Sequence, residues 1–330
     1  MYEVIRVTKE ALHDLQKKIV LQTVFTTFPW VEFLEKDQGI ESVVLEFSKN
    51  GKPVAYFVGG IISKFGVRIL GSPFEGWLTC DMGFIIVAEF NYEEGFKQLK
   101  RYAFRNLKCH YVRVIGKNIP RDIRARGIVE HTKLLRLDIS KSLDQIMSSF
   151  TKNGRRDIRA SQRKGLSFEQ VDFDRDFANE YYTQLVDVFA KQGLEPFYSI
   201  EKIYNLVDAF KDNPELVLAL VAKYDGKTVA SVLSFAYGDW AYYVGAASYR
   251  EYQKYLPNEG LFWKFIEHWH DKGIKYIDLV GYREYKMKYN PEVIDEQAII
   301  FQKYPGLHLM KNLAYHMIML KRRIRGINKR

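Results

Sequence analysis

Apolar and polar positions alternate along this chain in a way that predicts short strands and amphipathic helices in a repeating order. Val43–Ala55 reads VVLEFSKNGKPVA and Val217–Ala230 reads VLALVAKYDGKTVA. In both, an apolar run meets Asn-Gly or Asp-Gly and a second apolar run follows. That pattern predicts a tight hairpin, because two-residue turns need residues that tolerate positive φ. Glu94–Gly116 lies over Glu259–Gly281 without a gap. Each copy opens with Glu-Gly, runs at helical period and ends in an apolar strand, YVRVIG at Tyr111–Gly116 and YIDLVG at Tyr276–Gly281. In the second copy Leu261, Phe262, Phe265, Ile266 and Trp269 share one face, with Asn258 expected as N-cap and Gly273 as the stop. Hairpin, helix and strand occurring twice predict a duplicated α/β unit built on mixed sheets.

Between the copies, Leu143, Ile146 and Phe150 stand at helical spacing and lead into a basic cluster. A further helix is expected over Phe177–Lys191, with Tyr181, Leu185, Val188 and Phe189 on one face. Gly193 and Pro196 mark 192–199 as a loop. After Gly281 the segment GYREYKMKYNPE reads as a connection, followed by a strand at Gln297–Tyr304 and an apolar-basic helix at Leu307–Ile327.

At 330 residues, 47% hydrophobic and 15% aromatic, the chain has the length of two ordinary domains and the apolar content to fill their cores. Its two cysteines, Cys80 and Cys109, cannot build a disulfide framework or a four-cysteine zinc site, which predicts a reducing compartment. The longest apolar stretches are broken by charge, as Leu233–Ala247 is by Asp239, and the first residues lack the apolar core of a signal peptide. The expectation is a soluble, cytoplasmic protein with no transmembrane segment.

The net charge of +10 is concentrated. Lys152, Arg155, Arg156, Arg159, Arg163 and Lys164, less Asp157, give 151–165 a sum of +5. Lys311, Lys321, Arg322, Arg323, Arg325, Lys329 and Arg330 give 311–330 a sum of +7, which leaves −2 for the rest. Two basic segments on a nearly neutral body predict a phosphate-rich partner, either a nucleotide, RNA or an anionic lipid surface; a solvated helix face and a basic tail are the plain alternative. No Gly-rich phosphate loop, HExxH, GxSxG or paired-cysteine motif occurs, which removes P-loop NTPases, zincins and serine hydrolases. His268 and His270, two apart on a helix, cannot share a metal, so no metal site is expected.

At the basic cluster the sequence resembles a known family. KNGRRDIRASQRKG (Lys152–Gly165) is similar to the Lys-x-x-Arg-Arg-x-Ile-Arg-x-Ala-x-x-x-Gly signature of Fem-type transferases, the FemAB-like (BioF2-like) branch of the GNAT acyltransferase superfamily, with Ser161 in place of Ala. TVFTTFPWVEFLE (Thr23–Glu35) resembles the family's Phe-x-x-x-x-Trp segment. AYYVGAAS (Ala241–Ser248), LPNEGLFWKFIEHWHDKGIKYIDLVG (Leu256–Gly281) and YKMKYNP (Tyr285–Pro291) follow in family order. The last resembles a Phe-Lys-x-x-Phe-Gly box with Tyr and Asn substituted. The resemblance spans nearly the whole chain and implies an α/β fold of two tandem GNAT-like domains facing a cleft. Domain 1 is expected over 1–140, completed by the C-terminal helix 310–330, and domain 2 over 141–309.

The resemblance also implies an enzyme, one that moves an aminoacyl group from aminoacyl-tRNA to an amine of a cell-wall (peptidoglycan), envelope or peptide acceptor. An aminoacyl ester is already activated, so no serine or cysteine nucleophile is needed. Lys286 matches the family's lysine and is expected to stabilise the oxyanion or the leaving ribose oxygen. Arg155, Arg156 and Arg159 are expected to bind phosphate by forked hydrogen bonds. Tyr243 and Tyr285 flank substrate, or Tyr243 packs in the core. Tyr198, with Phe197, offers a stacking surface from its loop, and buried-strand Asp278 faces a cation such as Lys286. No resident cofactor is expected, with aminoacyl-tRNA or acyl-CoA as co-substrate, a phosphate-bearing or acidic acceptor, and peripheral contact with the inner membrane surface through the basic C-terminal helix.

The chain departs from the family in three places. Pro257 and Asn258 stand where CoA-dependent members carry glycines, the 192–204 region has no arginine for a nucleotide diphosphate, and the coiled-coil arm of some tRNA-using members is missing. Two alternatives therefore stand beside the first reading: an acyl-CoA-dependent N-acyltransferase for an amino sugar or small metabolite, and a non-catalytic relative that binds RNA or membrane.

Overall fold

The computed structural model of the chain describes residues 1–18, 23–74, 76–120, 123, 127–190, 193–313 and 317. Two compact units emerge, Met1–Thr132 with Asp295–Arg330 and Lys133–Ile294. The sequence put the changeovers after residues 140 and 309. They fall instead inside two strands, Ile128–Asp138 and Glu292–Gln302, because strand pairing rather than the end of a helix decides where a segment belongs. Of the expected C-terminal helix, 307–313 and 317 are helical. The rest of 310–330, with every tail cation from Lys321 onward and the membrane contact assigned to them, lies outside the described residues.

The first unit contains β1 (Glu3–Val7), α1 (Ala11–Lys18), α2 (Phe28–Gln38), β2 (Glu41–Lys49), β3 (Lys52–Lys64), β4 (Val67–Ser72), β5 (Gly83–Ile86), α3 (Tyr92–Arg105) and β6 (Tyr111–Ile115). With β7 (Ile128–Asp138) crossing to the second unit and β13 (Glu292–Gln302) returning, its sheet runs β1-β2-β3-β4-β6-β13, and β5 pairs with β3. Asn50 and Gly51, at φ 54° and 72°, make the expected two-residue turn between β2 and β3. Between β4 and the parallel β6 lies α3, whose Asn91 cap accepts from Glu94 N at 3.0 Å. Its buried Phe96, Leu99 and Ala103 join Phe47, Phe57, Val112 and Phe301 in one core.

The second unit holds α4 (Leu143–Ser149), α5 (Lys152–Ser161), β8 (Leu166–Val171), α6 (Arg175–Ala190), α7 (Ile200–Phe210), β9 (Val217–Tyr224), β10 (Lys227–Tyr237), β11 (Trp240–Ser248), α8 (Pro257–Asp271) and β12 (Tyr276–Asp278). Its sheet runs β7-β12-β11-β10-β9-β8. The second hairpin turns at Asp225 and Gly226, at φ 48° and 76°. Again a helix, α8, links two parallel strands, β11 and β12. Its Leu261, Phe262, Phe265, Ile266 and Trp269 are all buried against Leu218, Leu220 and Val232, each removal from water being worth about 1.5–3 kcal/mol. The glycine that opens each helical copy has a steric reason. A Cβ on Gly95 would lie 2.2 Å from Phe90, and one on Gly260 2.1 Å from Phe168 and 2.5 Å from Ser161 Oγ.

Local starts and stops differ from the sequence expectation in three places. The run from Leu143 breaks at Phe150, whose ψ of 155° ends α4, and Thr151 caps a separate α5 by accepting from Gly154 N. Helix α8 starts two residues early: Pro257 occupies its first turn, where a missing N–H does no harm. Leu256 is the N-cap at φ 61°, and Asn258 donates instead to Ser248 Oγ at 3.2 Å. The connection after Gly281 holds a 3-10 helix, Glu284–Tyr289. Among the described residues no helix is long and apolar enough to cross a membrane, and no group of His, Cys, Asp and Glu could hold a metal ion.

Candidate active site

In the second unit the parallel strands β11 and β12 part company. They pair only from Trp240↔Tyr276 to Tyr242↔Asp278, although β11 continues to Ser248. On its other side β11 pairs with β10, but the register slips: Tyr243 faces Ser234 and Gly245 faces Leu233, so Val244 is a bulge. Val244 thus stands in neither ladder. A bulge re-aims its peptide groups, and a backbone N–H released from a sheet is a donor fixed in place before substrate arrives.

Two phenols border this stretch. A Cβ on Gly245 would lie 2.1 Å from Tyr181 Oη, so the hydroxyl of Tyr181 occupies the notch that the glycine leaves. That hydroxyl is 3.3 Å from Tyr198 Oη, and the Tyr198 carbonyl accepts from Tyr182 Oη at 3.2 Å. Tyr198 is therefore anchored inward rather than offered for stacking as expected, while Phe197 is 64% exposed. Burial pushes the Tyr181 phenol well above its usual pKa and raises that of Tyr198, so both remain hydrogen-bond donors at neutral pH. The sequence placed Tyr181 only on the core face of α6. Its one distinguishing signal was a hydroxyl on that face, which demands a partner when buried.

Tyr243 is a core residue: its ring packs on Phe262 at 5.2 Å and Phe265 at 5.1 Å. Burial drives its pKa well above the ordinary value, and the Tyr285 phenol is near enough to add to the shift. Tyr285 itself is 63% exposed at the rim.

The end of β12 is a tightly held turn. Val280 and Gly281 both have positive φ, 50° and 75°. For a β-branched residue this is strained by roughly 1–3 kcal/mol and persists only where neighbours enforce it. Asp278, 1% exposed, accepts from Val280 N at 2.8 Å. Lys286, 7% exposed, donates to the carbonyls of Leu279, of Val280 at 2.8 Å and of Gly281 at 3.2 Å. An ammonium has three donors, so these carbonyls occupy its capacity, and a direct bond to an oxyanion requires one of them to be released. Lys286 and Asp278 thus grip the same turn from its two sides.

The arginines separate. Arg155 is half-buried, and its Nη1 donates to the carbonyls of Ser148 and Phe150, capping the C-terminus of α4, where the orphan carbonyls of a helix end lie within its reach. Arg156 pairs with Asp157 at 2.9 Å, and Arg159 is exposed. Lys288, which reads in the sequence as an exposed loop lysine, is held 2.7 Å from Glu259 and 3.6 Å from Asp157, tying α5, the 3-10 helix and α8 together. The structure therefore gathers Tyr198, Tyr243, Tyr285, Asp278 and Lys286 around the strand divergence, and sets Arg156 and Arg159 on the outer face of α5.

The chemistry this arrangement allows is narrow. The only histidines of the second unit, His268 and His270, sit near the C-terminus of α8, whereas β11 leads toward its N-terminus. Both cysteines belong to the first unit. The region offers neutral donors and backbone dipoles, suited to direct transfer between two bound substrates with charge stabilised on a carbonyl oxygen.

Residues 149–287 match the family model described as an acetyltransferase (GNAT) domain. No curated protein sequence matches the chain. Among solved structures the chain is similar to FemX, with 14% identity, a TM-score of 0.71, and coverage of 91% of this chain and 97% of that one. It is also similar to the C-terminal domain of a putative lysylphosphatidylglycerol synthetase from Agrobacterium fabrum, with 14% identity, a TM-score of 0.57 and coverage of 92% and 94%. A tandem GNAT protein from the clavulanic acid biosynthesis pathway aligns at 9% identity, a TM-score of 0.52 and coverage of 92% and 99%. The parallel strands parting beside a bulge thus lie within the segment that matches a GNAT acetyltransferase domain, in a chain whose mixed α/β fold is similar to that of FemX.

Proposed function

We infer that the chain transfers an aminoacyl group from aminoacyl-tRNA to an amine of a cell-envelope or peptide acceptor, forming an amide. The observation that carries this reading is the Val244 bulge beside the Tyr181–Tyr198 hydroxyl pair. A donor ester already activated for aminolysis needs only positioning and an oxyanion site, and released backbone N–H and neutral phenol donors supply both. Lys286 and Asp278 act as positioning residues that hold the turn at the end of β12, and Tyr285 contacts substrate from the rim. One structural relative is named for an aminoacyl product, lysylphosphatidylglycerol.

The start of α8 supports a donor other than acyl-CoA. A pyrophosphate seated there would find Pro257 without an N–H and the Glu259 carboxylate in the first turn. The acyl-CoA reading keeps one supporting observation, the acetyltransferase description of the matched domain.

The test offers the protein a panel of charged tRNAs and, separately, acyl-CoAs, each with amine-bearing envelope extract as acceptor. Acceptor-dependent loss of the amino acid from tRNA, with the matching mass increase in the acceptor, supports the proposal. Thiol release from acyl-CoA under the same conditions, with charged tRNA untouched, overturns it.

A further inference from the structure

Lys152, Arg156 and Arg159 stand at i, i+4 and i+7 on α5, and Arg163 lies in the turn just past its end. All four are exposed, and the three on the helix share one face, a stripe about 10 Å long that Arg163 continues. Lys152, Arg159 and Arg163 make no hydrogen bond or ion pair with any described residue, and Arg156 has only its exposed pairing with Asp157. The stripe ends against a cluster of rings. Lys164 donates to the carbonyl of Lys254, and a Cβ on Gly165 would lie 3.7 Å from the Tyr224 ring. Tyr224 stacks on Tyr255 with centroids 4.3 Å apart, and Tyr252 lies 6.1 Å from Tyr224 and 6.2 Å from Tyr255. Lys227 sits over Tyr252 at 5.2 Å and Lys254 over Tyr255 at 5.1 Å. The Glu251 carboxylate, 3.4 Å from Lys227, is exposed and its pairing is easily exchanged.

The geometry points to this surface as a docking track for an RNA strand, with phosphates along the outer face of α5 and unpaired bases on the tyrosine cluster at its end. Unpaired cations at helical spacing suit a run of phosphates, and half-buried rings edged by ammoniums suit the faces of bases. An anionic membrane is the less fitting partner, because among the described residues of this unit none of the large exposed apolar side chains lies on the stripe or among these rings. The inference rests on the reading that the donor is an aminoacyl-tRNA, and it adds where that RNA is held away from the reacting atoms.

The experiment measures anisotropy of a fluorescent single-stranded RNA octamer over a salt series, beside vesicles of phosphatidylglycerol and phosphatidylcholine. Arg159→Gln with Arg163→Gln should weaken RNA binding and flatten the log K against log salt slope by about 1.4, at roughly 0.7 per single-strand phosphate contact. Tyr255→Ala should weaken it about tenfold with the salt slope unchanged, as loss of stacking requires. Because these side chains are exposed or half-buried, unchanged melting midpoints will show that the variants fold. RNA binding indifferent to all three substitutions, or vesicle binding without RNA binding, overturns the track. Turnover from charged tRNA that ignores the substitutions removes the track and leaves the proposed function. RNA binding that depends on them, with no turnover from any charged tRNA, keeps the track and removes that function.

Discussion

The two strand-helix-strand crossovers of this protein are copies of one plan with opposite finishes. In the first unit β4 and β6 pair from Ile69↔Tyr111 to Ser72↔Val114, and β6 is flanked on its far side by β13. Ser72, fully buried, closes the end of β4: its hydroxyl donates to Val58 O and accepts from Gly83 N at 2.8 Å. The intervening helix has a side-chain cap in Asn91. In the second unit β11 and β12 separate after three pairs, β11 bulges, β12 ends in strained backbone, and α8 begins at an uncapped Leu256 with positive φ. One crossover closes with a paired strand end and a side-chain cap. The other closes with a bulge, a turn held by side chains and an uncapped helix start, which is how backbone committed to stability differs from backbone committed to binding.

The sharpest way to break this contrast is to cut each closure. Lys286→Met should remove the donor from three carbonyls and lower the unfolding free energy by about 3 kcal/mol. The same change should let the Val280 turn relax and reduce transfer about 100-fold, the scale of a small misplacement at a reacting centre. Ser72→Ala in the first unit should lower stability alone, leaving kcat of the folded protein unchanged. Denaturation curves and single-turnover rates on both variants decide it; equal losses of rate would erase the distinction.

Next in size is Gly245→Ala. The added methyl collides with Tyr181 Oη, so kcat should fall by at least about tenfold if that hydroxyl serves the oxyanion, with Tyr181→Phe showing a loss of the same order and little change in melting midpoint.

A third test uses pH. Burial pushes Tyr92, in the first unit, up to about 12. Its folded pKa lies above the unfolded value, so its stabilising contribution is complete below about pH 10 and is lost as pH rises toward 12. Tyr92→Phe should flatten the decline in unfolding free energy by roughly 1 kcal/mol at about pH 11. Tyr181 and Tyr243, raised well above the ordinary value by burial, should steepen the same limb from the second unit.

The smallest effects lie at the two helix starts and should have opposite sign. Asn91→Ala should destabilise by about 1 kcal/mol through loss of a cap. Leu256→Gly should stabilise by no more than about 1 kcal/mol, because glycine accepts the left-handed backbone that leucine resists. Chemical denaturation of the two variants measures both.

Much of the architecture is legible in the sequence because periodicity reports which faces are buried. Asn50-Gly51 and Asp225-Gly226 turn where dipeptides of that type must, and each Glu-Gly helix is followed by a strand, although the second strand stops at Asp278 rather than Gly281. Helix α7 and the break at Phe150 escaped, the latter because Leu143, Ile146 and Phe150 keep one face apolar across two separate helices. The polar members of the site were less readable. Whether Arg155 meets phosphate or the carbonyls ending α4, and whether Lys286 meets substrate or the carbonyls of Leu279–Gly281, depends on which backbone groups tertiary packing leaves unpaired. No spacing rule encodes that. Tyr181 was hidden for the converse reason, since a ring that belongs to the core carries a hydroxyl that does not.

One contact shows what the basic signature demands of any sequence that adopts it. A Cβ on Gly154 would stand 2.5 Å from the carbonyl oxygen of Lys288, and the Thr151 hydroxyl donates to that same oxygen at 2.9 Å. The helix is thereby docked main chain to main chain at a position the signature leaves unspecified. In distant kin, this bare residue and its hydroxyl neighbour should therefore outlast the arginines, and a search pattern weighted toward them would recover relatives whose surface charge has drifted.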